Sequence, residues 1–142
     1  MSVRVGFVTA AHVHFGAFYH GLKIHPDAEF AGIWDHDAAR LDHAAKHHNL
    51  VAFTSLDDLL SACDAVVILS ETRLHVKHCA AAAARGVHIL CEKPLVTTED
   101  EARALETAIE GTNVKFMTAF PCHYSSAFLR LRERLAADRQ PE

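Results

Sequence analysis

The run Ala65-Val66-Val67-Ile68-Leu69 constrains this chain most. It carries no polar residue to turn toward water, so as a strand it must be buried on both faces. Strands buried on both faces belong to parallel sheets covered by helices. The rest of the sequence agrees. Short β-rich runs at Val3 to Val8, Glu29 to Trp34, Val51 to Phe53, Asp64 to Ser70, Val87 to Cys91 and Val114 to Phe120 alternate with segments of helical spacing. Helices are expected at Phe15 to His25, Asp37 to His48, Leu74 to Arg85 and Ser125 to Ala137. Two more begin after Ser55, with Asp58 at the third helical position, and at Thr98, where Glu99, Asp100 and Glu101 complement the helix dipole. Ala102, Leu105 and Ile109 of that last helix share a face, and Gly86 stands where a helix would stop. The expected fold is an α/β doubly wound parallel sheet with helices on both faces, a Rossmann fold.

Composition narrows the classes. The chain has 142 residues, half of them apolar and 23% charged, which fits one globular domain. A net charge of −4 without a basic block makes nucleic acid a poor partner. No apolar run approaches the ~18 residues of a membrane span, and the N-terminus does not read as a signal peptide. The four cysteines, at 63, 79, 91 and 122, match neither a redox pair nor a zinc ribbon, so a reducing cytoplasmic setting is expected. Cys63, Cys79 and Cys91 read as small core residues, and Phe116, Phe120 and Phe128 as core aromatics.

Ligands of an open parallel sheet bind beyond the carboxyl ends of its strands. Four such ends carry suggestive residues. After the first strand come Thr9, Ala10, Ala11, His12, Val13 and His14, with Thr9, Ala11 and His14 where a dinucleotide turn has its three glycines. Asp35 ends the second strand, roughly 20 residues beyond that turn, where an acid accepts hydrogen bonds from a ribose and repels a 2′-phosphate. It could equally cap the helix that starts near Asp37. Ser70, Glu71, Thr72 and His75 come after the most apolar strand, either as ligand contacts or as a solvated loop with a capping Ser or Thr. Glu92, Lys93 and Pro94 form the fourth group, an acid–base or orienting pair or an ordinary surface pair. His12-x-His14 and His43-x-x-x-His47 have ligand-like spacings among the twelve histidines. No Cys, Asp or third His stands at a fixed offset to complete either, so surface histidines are the simpler reading and no metal is expected.

Together these positions resemble the N-terminal half of the Gfo/Idh/MocA family over Gly6 through Leu135. The mark is Val87-His88-Ile89-Leu90-Cys91-Glu92-Lys93-Pro94-Leu95, with Thr97, Thr98 and an acid-led helix after it, which is similar to the family's E-K-P signature. Asp64-Ala65-Val66-Val67-Ile68 with Leu74-His75, and Val114-Lys115-Phe116-Met117 with Phe120-Pro121-Cys122-His123-Tyr124, resemble two further family strands and their exit loops.

The resemblance implies an NAD-binding domain, with NADP less favoured, from an oxidoreductase acting on a sugar, polyol or related hydroxy compound. It implies Lys93 as the catalytic residue, with Glu92 and Pro94 shaping its turn. Asp35 becomes the ribose acid and His75 the histidine after a cofactor loop. Residues 1–124 are then the dinucleotide-binding domain and 125–142 a linking helix toward a substrate domain. Family members continue into that α+β domain, and Phe120 and Tyr124 would lie near the junction. In an isolated chain they would be exposed and favour self-association, making a homo-oligomer possible. The alternative is a stand-alone, non-catalytic module for NAD or a partner.

Overall fold

The computed structural model describes residues 2–137. Five strands run in the order β2-β1-β3-β4-β5, and every pairing is parallel. They are β1 Val3–Val8, β2 Ala28–Trp34, β3 Ala65–Ile68, β4 His88–Cys91 and β5 Phe116–Thr118. The helices are α1 Phe15–Lys23, α2 Ala38–His48, α3 Leu56–Ala62, α4 His75–Ala84, α5 Glu99–Ile109 and α6 Ser126–Ala137. The doubly wound expectation holds.

Strand alternation builds two cores. In β1 and β3, Val8, Val66 and Ile68 point to one face and pack with Leu59, Leu60, Cys79, Ala82 and Leu105 from α3, α4 and α5. Val5, Phe7 and Val67 point the other way and pack with Phe15, Tyr19, Ala44 and Ala45 of α1 and α2. Each fully buried aliphatic or aromatic side chain contributes roughly 1.5–3 kcal/mol, so these strands anchor the domain from both sides. Cys63, Cys79 and Cys91 are buried as expected. The second core thins toward β5: Leu90 is only partly buried and Met117 is 44% exposed.

Local signals act as read at several ends. Ser55 accepts a hydrogen bond from the Asp58 N–H at 3.0 Å and caps α3. Thr98 and Glu101 form a reciprocal capping box on α5. Gly86 takes φ +71 after α4, the left-handed turn a glycine accepts freely.

Some expectations change. Val51 to Phe53 makes one parallel bridge, Ala52 to Ile33, rather than a strand. The left-handed cap Asn49 and the capping Ser55 leave too few residues between them for a longer ladder. Phe128 is 36% exposed rather than core, Phe120 is 48% exposed as the isolated-chain reading implied, and α6 has no buried residue, because among the described residues it packs mainly against the short turn Pro121–Tyr124. Ala102 is also exposed, while Leu105 of the same face is buried.

Two buried features generate tests. Gly32 sits at φ +147 beside the register shift between β1 and β2, and a Cβ there would meet the Val51 carbonyl oxygen and the Phe53 ring. Gly32→Ala is expected to cost about 3 kcal/mol in a denaturant titration, through strain and overpacking together. His78 lies between α4 and the sheet, edge-on to Trp34, its Nδ1 2.9 Å from the Ser70 hydroxyl. Burial pushes its pKa down from the usual 6.5 to about 4. The unfolded chain therefore takes up a proton that the folded chain refuses, and stability falls as pH drops from about 6.5 toward 4. Between about pH 7 and pH 5 the loss assignable to His78 is on the order of 2 kcal/mol, and His78→Asn should flatten the profile by that amount.

Candidate functional site

The chain crosses from β2 to the far side of β1 before forming β3, so a crevice opens at the carboxyl ends of β1 and β3. The four predicted loops converge there. The turn after β1 is bonded into both neighbours: Thr9 N–H donates to Trp34 O at 2.7 Å and His12 N–H to Leu69 O at 3.1 Å. Thr9 is fully buried at φ +66, where a glycine would be at ease and a β-branched residue is strained. Ala10 and Ala11 are half-buried, and Val13 is 90% exposed on the rim. His14 begins α1 without a side-chain cap. His14 N–H is taken by His12 Nδ1 at 3.2 Å and Phe15 N–H by His12 O at 3.0 Å, so an anion at this helix N-terminus would be met by the Gly16 and Ala17 amides.

Asp35 does not cap α2. Asp37, not Asp35, caps α2, through Arg40 N–H at 2.9 Å. Asp35 is 4% exposed, and its carboxylate is already occupied. Oδ2 accepts from Ala10 N–H at 2.9 Å and Arg40 Nε at 2.7 Å; Oδ1 accepts from Asp37 N–H at 3.0 Å and an Arg40 terminal nitrogen at 2.8 Å. Burial pulls this carboxyl upward, but the donors from Arg40, Asp37 and Ala10 outweigh it and hold the pKa below the usual range. Asp35 therefore ties the β1 turn to α2. The edge around it also carries His36 and Glu71, each with a ring or carboxylate atom near Asp35 or Arg40. One Glu71 oxygen, Oε2, is buried without a hydrogen-bond partner.

Ser70 is buried, and Thr72 starts a short 3-10 turn. His75, expected to reach a ligand, is 1% exposed instead. Its ring nitrogens lie 2.9 Å from Ser70 O and 3.1 Å from Leu95 O, so it clamps two loops together because α4 carries it beneath the sheet end. His78, which no sequence pattern singles out, adds the bond to Ser70.

After β4, Glu92 is 1% exposed while Lys93 and Pro94 are exposed, and the Lys93–Pro94 peptide is cis. Glu92 Oε1 accepts from Lys93 N–H at 3.0 Å. Its Oε2 faces two histidines from the β1 turn: His14 Nδ1 at 3.1 Å and His12 Nδ1 at 3.8 Å. The sequence shows no third partner for His12 and His14 at a fixed offset; the fold supplies one from 78 residues away. His14, Ala17, Phe18, Glu92 and Pro121 line a cleft of about 340 Å³. His43 and His47 stack on α2 as their spacing implies, without a third ligand among the described residues.

Comparison with known proteins agrees with this fold. The family model described as "Oxidoreductase family, NAD-binding Rossmann fold" (GFO_IDH_MocA) matches residues 3–120. The chain is 36% identical over 103 residues to a UDP-N-acetylglucosamine 3-dehydrogenase of Acidithiobacillus ferrooxidans, covering 72% of this chain and 32% of that protein. It is 37% identical over 134 residues to an inositol 2-dehydrogenase of Leifsonia xyli, covering 92% of this chain and 40% of that protein. In fold it superposes, at a TM-score of 0.87 and 22% identity, on the WlbA dehydrogenase of Bordetella pertussis in complex with NADH and UDP-GlcNAcA, covering 97% of this chain and 42% of that one. The chain thus spans about a third to two-fifths of the length of these relatives. It belongs to the Gfo/Idh/MocA oxidoreductase family, as its NAD-binding Rossmann fold.

Proposed function

We propose that this chain is the cofactor domain of a dehydrogenase that moves hydride between a nicotinamide and a sugar, polyol or related hydroxy compound. The observation that carries the reading is the convergence, at one end of the sheet, of the α1 N-terminus and an exposed Lys93 beside a buried Glu92. The nicotinamide supplies the redox chemistry when bound. Thr9, Ala10, Ala11, His12 and Val13 would line its pyrophosphate. Asp35 would act on the ribose edge by holding Arg40 and the Ala10 turn in place, with Glu71, Ser70 and Thr72 across the crevice. Glu92 and Pro94 set the Lys93 backbone, leaving the ammonium free to orient a substrate hydroxyl and carry its proton. His75 positions the Ser70 and Leu95 loops from below.

NAD is the better cofactor. Two carboxylates, Asp35 and Glu71, face one guanidinium, Arg40, so a 2′-phosphate meets an excess of acidic groups.

The inferred division, residues 1–124 as cofactor domain and 125–142 as linking helix, is supported by the wholly unburied α6. Its Phe128, Leu131 and Leu135, with Phe120 and Tyr124, form an exposed apolar surface that suits a substrate domain or a second copy in a homo-oligomer. No helix among the described residues is long and apolar enough to cross a membrane. Free thiols at Cys63, Cys79, Cys91 and Cys122 suit the reducing cytoplasm.

Calorimetry of the chain with NADH and NADPH tests the reading. NADH should bind at least about tenfold more tightly than NADPH, a difference of about 1.4 kcal/mol. Val13→Asp puts a negative charge on the rim without touching the core, and should weaken NADH by a similar factor. A folded chain that binds neither nucleotide at millimolar concentration overturns the cofactor reading and leaves the partner-binding module.

A further inference from the structure

The two histidines of the β1 turn and the carboxylate after β4 meet in a way the cofactor reading does not require. One ligand-type atom from each of His12, His14 and Glu92 lies within 4.8 Å of the other two. Two of the edges are 3.1 Å from His14 Nδ1 and 3.8 Å from His12 Nδ1 to Glu92 Oε2. A tetrahedral ion with bonds of about 2.0–2.1 Å holds its ligand atoms roughly 3.3 Å apart, so these edges lie close to those of a metal site.

The chemistry of Glu92 points the same way. A carboxylate at 1% exposure calls for a positive partner. No Lys or Arg among the described residues pairs with it; its salt-bridge contacts are the two histidines. His12 cannot serve as a donor through Nδ1, because that atom accepts the His14 N–H at 3.2 Å. The 3.8 Å approach of His12 Nδ1 to Glu92 Oε2 is therefore acceptor against acceptor, and a cation that takes the Nδ1 lone pair in place of the weak 3.2 Å bond from the His14 N–H would turn repulsion into ligation. The imidazoles remain accessible, at 25% and 39% side-chain exposure, and His14 and Glu92 open onto the 340 Å³ cleft, which leaves room for a fourth ligand.

We propose that His12, His14 and Glu92 form a binding site for one transition-metal dication of the zinc class. Two imidazoles and one carboxylate, with no thiolate, suit Zn²⁺, whereas Mg²⁺ and Ca²⁺ prefer all-oxygen sites. The site shares His12 and Glu92 with the proposed cofactor cleft, but its test does not rest on that reading, since metal affinity is measured with no nucleotide present.

The test uses the chain stripped with a chelator, titrated with Zn²⁺ by calorimetry and with Co²⁺ by visible absorption. One ion per chain should bind at micromolar affinity or tighter, and Co²⁺ should develop the intense visible bands of tetrahedral coordination. His12→Ala and His14→Ala should each weaken Zn²⁺ by at least about tenfold, the scale of losing one ligand or its support. The double variant His43→Ala, His47→Ala should leave this site intact. Glu92 is buried, so the more exposed histidines carry the test, with circular dichroism confirming that each variant folds. Zn²⁺ binding that survives both His12→Ala and His14→Ala, that disappears with His43 and His47, or that is weaker than about 100 µM in the unaltered chain overturns the proposal.

Discussion

The parallel pairing of β1 with β3 is the contact on which the rest of the domain depends. Both strands are buried on both faces, so each side chain along Val5 to Val8 and Val66 to Leu69 finds a helix on its own side. That double burial brings α1 and α2 to one face of the sheet and α3, α4 and α5 to the other. It also sets the reversal of chain direction beside β1 that opens the crevice. Because a parallel sheet aligns all its carboxyl ends, the loops after β1, β2, β3 and β4 must meet at one edge.

Two buried carboxylates govern that edge, and they are satisfied by opposite strategies. Asp35 is saturated by a two-nitrogen guanidinium pair and two backbone amides. This gives it a fixed charge and makes it a rigid strut between the β1 turn and α2. Glu92 has one backbone amide and two imidazoles whose donor capacity depends on tautomer and charge. It is the more adaptable group, and it lies beside the exposed Lys93. If the cleft holds a cofactor as proposed, the Asp35 strut would keep the β1 turn still while the Glu92 carboxylate beside Lys93 adapts.

Much of this was legible in the chain. The apolar run at 65–69, the caps at Ser55 and Thr98, and the E-K-P turn each carry a short-range physical signal, and each appears where expected. Local signals misled where a neighbour decided the outcome. His75 looks like a ligand contact after a polar loop, but helix α4 drives it under the sheet against two carbonyls. Phe128 looks like a core residue by type, but only the His123 ring stacks on it and it stays 36% exposed. Val51 to Phe53 has strand composition, but the caps on either side leave it room for a single bridge.

The sequence by itself determined the doubly wound class, the element order and the set of loops that could bear chemistry, because periodicity and capping are properties of neighbouring residues. Only the tertiary structure decided how those loops are wired. That Asp35 is spent on Arg40 and Ala10, that His75 and His78 both secure Ser70, and that Glu92 closes onto His12 and His14 from 78 residues away are pairings across the sheet. Strand order and register bring those groups within hydrogen-bonding reach, and no spacing along the chain encodes them.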